Sequence, residues 1–337
     1  MRRENRRIIE QNKILIISGN DAETILLLMP AIRRIREQNR DSRFDIVVQP
    51  KTVEILKETG WFDRIIVNNK ILFIRTIRTL RNEKYKLTVC FQPSLLPYFV
   101  GAKKKLTFLT SKLFSDRFFT HESVNYMRLI EPHFGRSREN ELYFPISEND
   151  REKTKQFLKN NNIPASSTIV AIHTGNPDIA DKWDSNNYSK LCDILVEEYN
   201  AKIFLFGEPG DQTIHEIKNK VKHKNDIIDA TCIKNSRDIT AFLTESNLAV
   251  TRNGMFLYLA CAAKVPTISI FGAGNPYRYG PLGTKYINIH SDMDCFPCNK
   301  RIRCRKNYMC IKTISCEKVI EAARLILDED KQLFLFE

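Results

Sequence analysis

The stretch TRNGMFLYLACAAKVPTISIFG, residues 251–272, has the composition of a turn, a short apolar helix and a buried strand in immediate succession. Residues 251–254 form the turn, and residues 267–271 form the strand. A further apolar run, residues 247–250, precedes the turn, so the segment predicts two parallel strands joined through a helix. The first N–H groups of such a helix lack intrahelical partners and favour an anion, so an anion is expected at this turn.

The same alternation of apolar runs and amphipathic segments extends over both halves of the chain. The first half contains strand-like runs at residues 13–18, 44–50 and 63–69, and the second half at residues 168–175, 201–211 and 226–231. This pattern predicts doubly wound α/β sheets with right-handed crossovers. A polar segment near residue 150 divides the chain into domains 1–150 and 151–337. Ligands of such sheets bind beyond the carboxyl ends of the strands, and we expect a cleft between the two domains.

Composition and charge restrict the class of protein. The 337 residues are 42% hydrophobic, which suffices for buried cores, and the formal net charge is +13. No apolar run approaches the roughly 20 residues that span a bilayer, and the N-terminal sequence has no core of a secretory signal, so a cytoplasmic location is expected. Four cysteines lie singly in mostly apolar segments, as reduced thiols do: Cys90, Cys192, Cys232 and Cys261.

The positive charge predicts an anionic partner, which is a phosphate-bearing ligand, an acidic lipid leaflet or a nucleic acid. Basic residues cluster at residues 2–7, at residues 103–105 with Lys112 and Arg117, and at residues 300–306. The sequence has no RNA-binding signature of aromatic residues on a strand and no zinc-finger helix. A nucleic-acid partner is therefore not expected.

Four motifs in the second half resemble those of the family-nine glycosyltransferases, the lipopolysaccharide heptosyltransferases. They are IHTGNPDIADKWDSNNYSKLCDIL, FLFGEPGD, NSRDITAFLTESNLAVTRNGMFLYLACAAKVPTISIFG and CFPCNKRIRCRKNYMCIKTIS. The first half is similar in layout and weaker in residues. The resemblance implies a GT-B fold, in which two Rossmann-like, doubly wound domains face a central cleft. It also implies an inverting, metal-independent sugar transferase.

Two loops depart from the family pattern. The family loop Asp-Ser/Thr-Gly-x-x-His corresponds, counting back from Pro266, to a stretch that has Asn253 and Gly254 at its start and Tyr258 at the histidine. A frame matched on Gly254 puts Leu257 there instead, so both the acid and the histidine are absent in either frame. The family's first loop ends Gly-Asp, and Glu23-Thr24 occupies those positions.

The resemblance implies a site for a nucleotide sugar. Lys182, before Trp183, is the candidate partner of the diphosphate, and the alternative is a solvated surface lysine. Asn253 and the helix that begins near Gly254 would contact the phosphates or the ribose. The remaining donor-binding candidates are Thr174, Gly175, Glu208, Asp211 and Tyr258. Glu208 and Asp211 would otherwise only form the turn, and Tyr258 would otherwise be a core aromatic.

The catalytic base and the acceptor site are assigned to the first domain. Asp21 and Glu23 are the candidate bases, with helix capping as the alternative role of either. Lys103, Lys104 and Lys105 would bind an anionic lipid-linked oligosaccharide acceptor, or would be a solvated helix face. Together with the basic N-terminus they would hold the enzyme peripherally at the inner membrane surface.

The C-terminal segment contains the cysteines Cys295, Cys298, Cys304 and Cys310. This spacing is typical of a structural zinc or iron site, and reduced thiols around a turn are the alternative. Catalysis itself requires no cofactor. The sequence therefore predicts a glycosyltransferase that transfers heptose from ADP-heptose, or another sugar, to lipopolysaccharide core or another envelope acceptor. The alternative is a catalytically inactive homologue that serves as a nucleotide-sugar-binding or assembly subunit.

Overall fold

Two parallel β-sheets, one in each half of the chain, form the framework of the protein. The computed structural model describes residues 12–18, 21–68, 73–108, 119–136, 141–175, 182–298 and 304–334. The chain divides into two units, Met1–Pro145 and Ile146–Glu337.

In the described residues of the first unit, five parallel strands lie in the order β3-β2-β1-β4-β5. The elements are β1 (Lys13–Ile17), α1 (Ala22–Glu37), β2 (Arg43–Val48), α2 (Val53–Thr59), β3 (Arg64–Val67), α3 (Phe73–Asn82), β4 (Leu87–Cys90), α4 (Leu96–Phe99), β5 (Lys104–Thr107) and α5 (Glu122–Phe134). Consecutive residues of the central strand β1 are buried, because a strand covered on both faces needs apolar side chains on both.

The described part of the second unit contains six parallel strands in the order β11-β10-β9-β6-β7-β8. Its first elements are α6 (Glu148–Asn160), β6 (Ile169–His173), α7 (Ser185–Tyr199), β7 (Lys202–Phe206), α8 (Gln212–Lys220), β8 (Ile227–Asp229) and α9 (Ser236–Leu243). Its later elements are β9 (Leu248–Arg252), α10 (Met255–Ala262), β10 (Thr267–Phe271), α11 (Pro276–Tyr279), β11 (Tyr286–His290), α12 (Met309–Lys312) and α13 (Cys316–Phe334).

The predicted doubly wound α/β architecture is confirmed, with two local differences. Strand β9 includes Thr251 and Arg252, which the sequence assigned to the turn, because their neighbours in β10 extend the pairing to the strand end. Lys104 and Lys105 begin the edge strand β5 rather than forming a helix face. Cys90, Cys192 and Cys261 are buried as expected, whereas Cys232 is exposed after β8.

Three groups of sequence candidates lie outside the described residues. They are the basic residues 2–7, Lys112 with Arg117, and the basic residues 300–303 of the C-terminal cluster. Within the ranges that the structure does describe, no helix is both long and apolar enough to cross a membrane.

Candidate functional site

The carboxyl ends of three neighbouring strands of the second sheet, β9, β6 and β7, lie side by side. Because parallel strands end at the same edge, the residues that follow them converge. This edge carries most of the donor-binding residues that the sequence suggested.

Thr174 and Asp211 meet directly at this edge. The Thr174 hydroxyl donates to Asp211 Oδ2 at 2.7 Å, and Asp211 Oδ1 accepts from the Thr213 N–H at 2.8 Å, which caps α8. Gly207, at the end of β7, lies close to both: a Cβ there would be 3.0 Å from the Thr174 hydroxyl and from Asp211 Oδ2. The carboxylate thus fixes the exits of β6 and β7, so Asp211 both caps a helix and belongs to the edge.

Gly175 and Arg252 form a second close pair. Gly175 has a positive φ of 85°, and a Cβ at this position would lie 1.8 Å from Arg252 Nη2. Only glycine combines this backbone conformation with room for the guanidinium. Arg252 ends β9 and is 3% exposed. A permanent positive charge is thereby held inside the edge where an anion was expected.

His173 lies at the end of β6, and its ring stacks on Phe256 of α10 with centroids 4.8 Å apart and planes 10° apart. Phe256 also packs against Phe206 at the end of β7, at 5.1 Å. Burial, with the positive charge of Arg252, lowers the pKa of His173 to about 4. The imidazole is therefore neutral at physiological pH. It adds no second positive charge beside Arg252.

Oδ1 of Asn253 and the hydroxyl of Tyr188 are buried polar atoms at or near this edge, and neither has a hydrogen-bond partner in the described parts of the chain. Burial also raises the pKa of Tyr188 to about 12, with Arg252 and Asp211 within electrostatic range, so its hydroxyl stays protonated. A buried acceptor and a buried donor without partners are expected where a ligand or water supplies the missing bonds.

Gly254 connects β9 to α10. Its φ of 154° and ψ of −172° fall in a region that is essentially restricted to glycine. No side chain caps the beginning of α10. The first N–H groups of this helix are therefore without a side-chain cap, which is what the expected anion site requires.

Lys182 is exposed and immediately precedes the buried Trp183. The indole Nε1 donates to the Ile314 carbonyl at 2.8 Å, and the ring packs edge-on against Tyr188 at 4.7 Å. Trp183 thus anchors the start of α7, while the ammonium group of Lys182 remains in solvent. Glu208, in the turn after β7, is exposed as well.

Tyr258 and Leu257, the two alternatives for the family histidine, are both fully buried in α10. The Tyr258 hydroxyl donates to the Tyr279 carbonyl at 3.1 Å. Tyr258 therefore belongs to the core that supports α10. It would affect ligand binding by fixing the position of this helix.

The candidate bases lie in the first unit. Asp21 is exposed and caps α1, accepting from the Thr24 N–H at 2.7 Å, and Glu23 lies in the first helical turn. Lys103 is exposed before β5. Lys104 Nζ is 2.6 Å from His133 Nδ1, and Lys105 Nζ donates to the Ala102 carbonyl at 2.8 Å.

The four C-terminal cysteines line one pocket: Cys295, Cys298, Cys304 and Cys310. Burial, with the other three thiols nearby, raises the pKa of Cys310. Cys304 Sγ accepts from the Tyr308 N–H at 3.3 Å. Across the part of the chain that the structure covers, however, no three His, Cys, Asp or Glu side chains are arranged as metal ligands.

Sequence reasoning missed Arg252, His173 and Tyr188. The available signal was position: Arg252 and His173 are polar residues that end otherwise apolar strands, LAVTR and IVAIH, at the edge where ligands bind. Tyr188 gave no signal, because a tyrosine on the apolar face of a helix is usually a core residue.

Comparisons with known proteins agree with this fold. The sequence profile of glycosyltransferase family 9 (heptosyltransferase) matches residues 74–309. No curated protein sequence matches the chain. Among solved structures, a family 9 glycosyl transferase from Veillonella parvula is similar with a TM-score of 0.77 at 19% identity, over 96% of this chain and 99% of the other.

The E. coli ADP-heptose lps heptosyltransferase II is similar with a TM-score of 0.71 at 15% identity, over 95% of this chain and 99% of the other. The iron-containing dodecameric glycosyltransferase TibC from E. coli has a TM-score of 0.54 at 9% identity, over 94% of this chain and 78% of the other. The two Rossmann-like units therefore form a GT-B fold. Since the profile covers more than half of its residues, the chain belongs to glycosyltransferase family 9.

Proposed function

We propose that the protein transfers a sugar from a nucleotide diphosphate, heptose from ADP-heptose being the leading donor, to lipopolysaccharide core or another anionic envelope glycolipid. The observation that best supports this proposal is the sheet edge formed by the carboxyl ends of β9, β6 and β7. It combines the buried cation Arg252, the beginning of α10 and the unpartnered Oδ1 of Asn253. The choice of ADP-heptose as the leading donor is supported by the fold shared with the E. coli ADP-heptose lps heptosyltransferase II.

The donor site would divide its tasks among these groups. The N–H groups at the beginning of α10 and the ammonium of Lys182 would bind the diphosphate, and Arg252 would add positive charge from within the edge. Asn253 Oδ1 would accept from a ribose or sugar hydroxyl, whereas Glu208 and the Thr174–Asp211 pair would border the ribose. Gly175 would admit the guanidinium beside the ligand.

The reaction would be a single, inverting displacement without a metal. The acceptor hydroxyl attacks the anomeric carbon, the bond from that carbon to the diphosphate oxygen breaks, and the nucleotide diphosphate leaves with both electrons. Asp21 or Glu23 would take the proton of the hydroxyl. Positive charge at the diphosphate stabilises the charge that develops on the leaving group.

The acceptor is assigned to the first unit. Lys103, Lys104 and Lys105 would bind the anionic groups of a lipid-linked oligosaccharide, and the enzyme would act in the cytoplasm at the inner surface of the membrane. The formal charge of +13 favours such a surface.

A second candidate is a catalytically inactive homologue that binds a nucleotide sugar as an assembly or regulatory subunit. It is favoured by the capping role of Asp21, whose Oδ1 is engaged by the Thr24 N–H. It is also favoured by Leu257 and Tyr258, because neither can become a cation at the family's histidine position.

The decisive experiment is transfer from ADP-heptose to a heptose-deficient lipopolysaccharide core, with donor binding measured by calorimetry. We expect Asp21→Asn or Glu23→Gln to lower turnover by about 100-fold or more, with donor binding nearly intact. Asn caps helices as well as Asp does, so Asp21→Asn separates the base from the cap.

Three outcomes are distinguished. Tight donor binding without transfer to any envelope acceptor would support the inactive homologue. Full turnover in both amide variants would leave an enzyme with a different base. Absence of donor binding by wild-type protein would contradict both candidates.

A further inference from the structure

The first unit carries a surface that none of the donor chemistry uses. Residues 73–105 contain eight basic residues and a single acidic one, Glu83. The basic residues are Arg75, Arg78, Arg81, Lys84, Lys86, Lys103, Lys104 and Lys105. Glu83 is itself engaged by Lys13 at 2.7 Å and Arg64 at 3.0 Å, so it does not offset the others.

Large apolar side chains are exposed in the same segment. Ile74 is 81% exposed, Leu95 is 64% exposed, Phe99 is 52% exposed and Tyr98 is 46% exposed. Leu96 and Val100, on the opposite side of α4, are buried with Leu80 of α3. The helix therefore meets its packing requirement with one face and leaves Tyr98 and Phe99 outside the core.

Apolar and basic residues of this segment are neighbours at the turn after α4. A Cβ on Gly101 would lie 3.6 Å from Arg81 Cγ, so the Arg81 side chain lies beside the turn that joins Phe99 to Lys103. Lys104 Nζ lies 2.6 Å from His133, whose pKa is lowered by burial and by the positive charges of Lys104 and Lys86. A neutral imidazole leaves the charge of Lys104 uncompensated.

We propose that Leu95, Tyr98, Phe99, Arg81, Lys103 and Lys104 form a docking surface for an anionic lipid bilayer. Aromatic and aliphatic side chains enter the interface of a bilayer while neighbouring basic residues attract anionic headgroups. Leu95 cannot stack on a base, and the sequence has no RNA-binding signature of aromatic residues on a strand, so a nucleic acid is not the expected occupant. The concentration of lysine is also atypical of the core of a protein–protein interface.

This inference rests on the proposed use of a lipid-linked acceptor and specifies which residues contact the membrane. It predicts that the purified full-length chain floats with vesicles of phosphatidylcholine plus phosphatidylglycerol, and much less with phosphatidylcholine alone. Flotation should weaken as salt is added.

Charge and apolar variants test the surface separately. Arg81→Gln and Lys103→Gln each remove one positive charge, and each should weaken binding to the anionic vesicles about fivefold. The double variant Tyr98→Ser/Phe99→Ser should weaken it on both vesicles. The matched controls Lys159→Gln and Tyr286→Ser, exposed in the second unit, should bind as wild type does. Thermal unfolding of every variant verifies that it is folded.

Insertion of this surface into the bilayer can be measured separately from binding, by fluorescence. In a Phe99→Trp variant, the tryptophan emission should shift to shorter wavelength when anionic vesicles are added, and in a Tyr286→Trp variant it should not. Equal flotation of the variants and wild type, or no flotation at all, would overturn the proposal. So would a change of oligomeric state in Tyr98→Ser/Phe99→Ser without vesicle binding, or binding of RNA in place of vesicles.

Donor binding distinguishes this inference from the proposed function. Calorimetry with ADP measures the second unit and should be unchanged by the surface variants. Vesicle binding without ADP binding would refute the proposed function alone, whereas ADP binding without vesicle binding would refute the docking surface alone.

Discussion

At the scale of the residue, the pair of Gly175 and Arg252 is the most specific feature of the candidate site. A guanidinium that is 3% exposed needs space, and Gly175 provides it with a backbone conformation that other residues adopt only with strain. Glycine and arginine at these two positions therefore depend on each other.

Gly175→Ala should destabilise the protein more than Gly210→Ala and should weaken donor binding. Both glycines have a similar positive φ, 85° and 81°, but a Cβ at Gly210 meets no atom within 4 Å. The control variant Gly210→Ala is therefore destabilised only by backbone strain, of about 1 kcal/mol. Thermal unfolding and ADP calorimetry provide the comparison. Equal effects of the two substitutions would contradict a role for the contact between Gly175 and Arg252.

Lys182→Ala should weaken ADP binding roughly tenfold or more and leave adenosine binding nearly unchanged, because the ammonium is proposed to contact the diphosphate. Calorimetry with both ligands measures the difference. Lys312→Ala, at another exposed lysine of the second unit, is the control. Equal losses for both ligands, or no loss, would return Lys182 to the role of a solvated surface residue.

At the scale of the element, the exit of β6 and the start of α10 are joined by the stack of His173 on Phe256. Phe206 extends this contact to β7. The stack holds the uncapped beginning of α10 at the sheet edge, so the position of the proposed anion site depends on an uncharged ring at residue 173.

The His173 stack should make stability depend on pH. Its pKa is lowered from 6.5 to about 4 in the folded protein, so between these values the unfolded chain binds the proton and the folded chain does not. Its contribution to the free energy of unfolding is full above pH 6.5 and is lost as the pH falls toward 4, by roughly 1–3 kcal/mol.

Urea denaturation over this pH range should show a smaller loss for His173→Phe, which keeps the aromatic stack and cannot titrate. His215→Phe, at an exposed histidine, should retain the wild-type dependence. Parallel curves for wild type and His173→Phe would contradict the assignment.

At the scale of the whole molecule, the second unit closes with the Cys-rich segment and α13. Ile311, Ile314, Cys316 and Val319 join the same core as Trp183 and Leu191. Cys316 Sγ donates to the Asn187 carbonyl at 3.2 Å. The segment thus completes the core of the second unit and helps to fix the start of α7.

A structural zinc or iron held by Cys295, Cys298, Cys304 and Cys310 is proposed as an addition to this packing. The pocket that the four thiols line supports the proposal. About one metal per chain should then be found by elemental analysis, and a chelator should lower the Tm. The variant Cys232→Ser, at an exposed cysteine away from this pocket, should keep the metal. Metal-free protein with four alkylatable thiols would leave packing alone.

The sequence by itself determined the α/β architecture, the family and the strand edge at which most of the candidate donor-binding residues collect. Short continuous apolar runs such as KILII and TISIF indicate strands covered on both faces, and the Asn-Gly exit of β9 identifies its carboxyl end. Local pattern is sufficient for these features because each depends on residues adjacent in the chain.

Tertiary structure decided what the individual side chains at that edge do. Asp211 touches Thr174 from 37 positions away, and Arg252 lies against Gly175, because parallel pairing of β7, β6 and β9 brings distant strand ends together. The same packing buried Tyr258 against Tyr279 and left Lys182 in solvent. Burial and pairing of this kind depend on contacts between residues far apart in sequence, which periodicity does not encode.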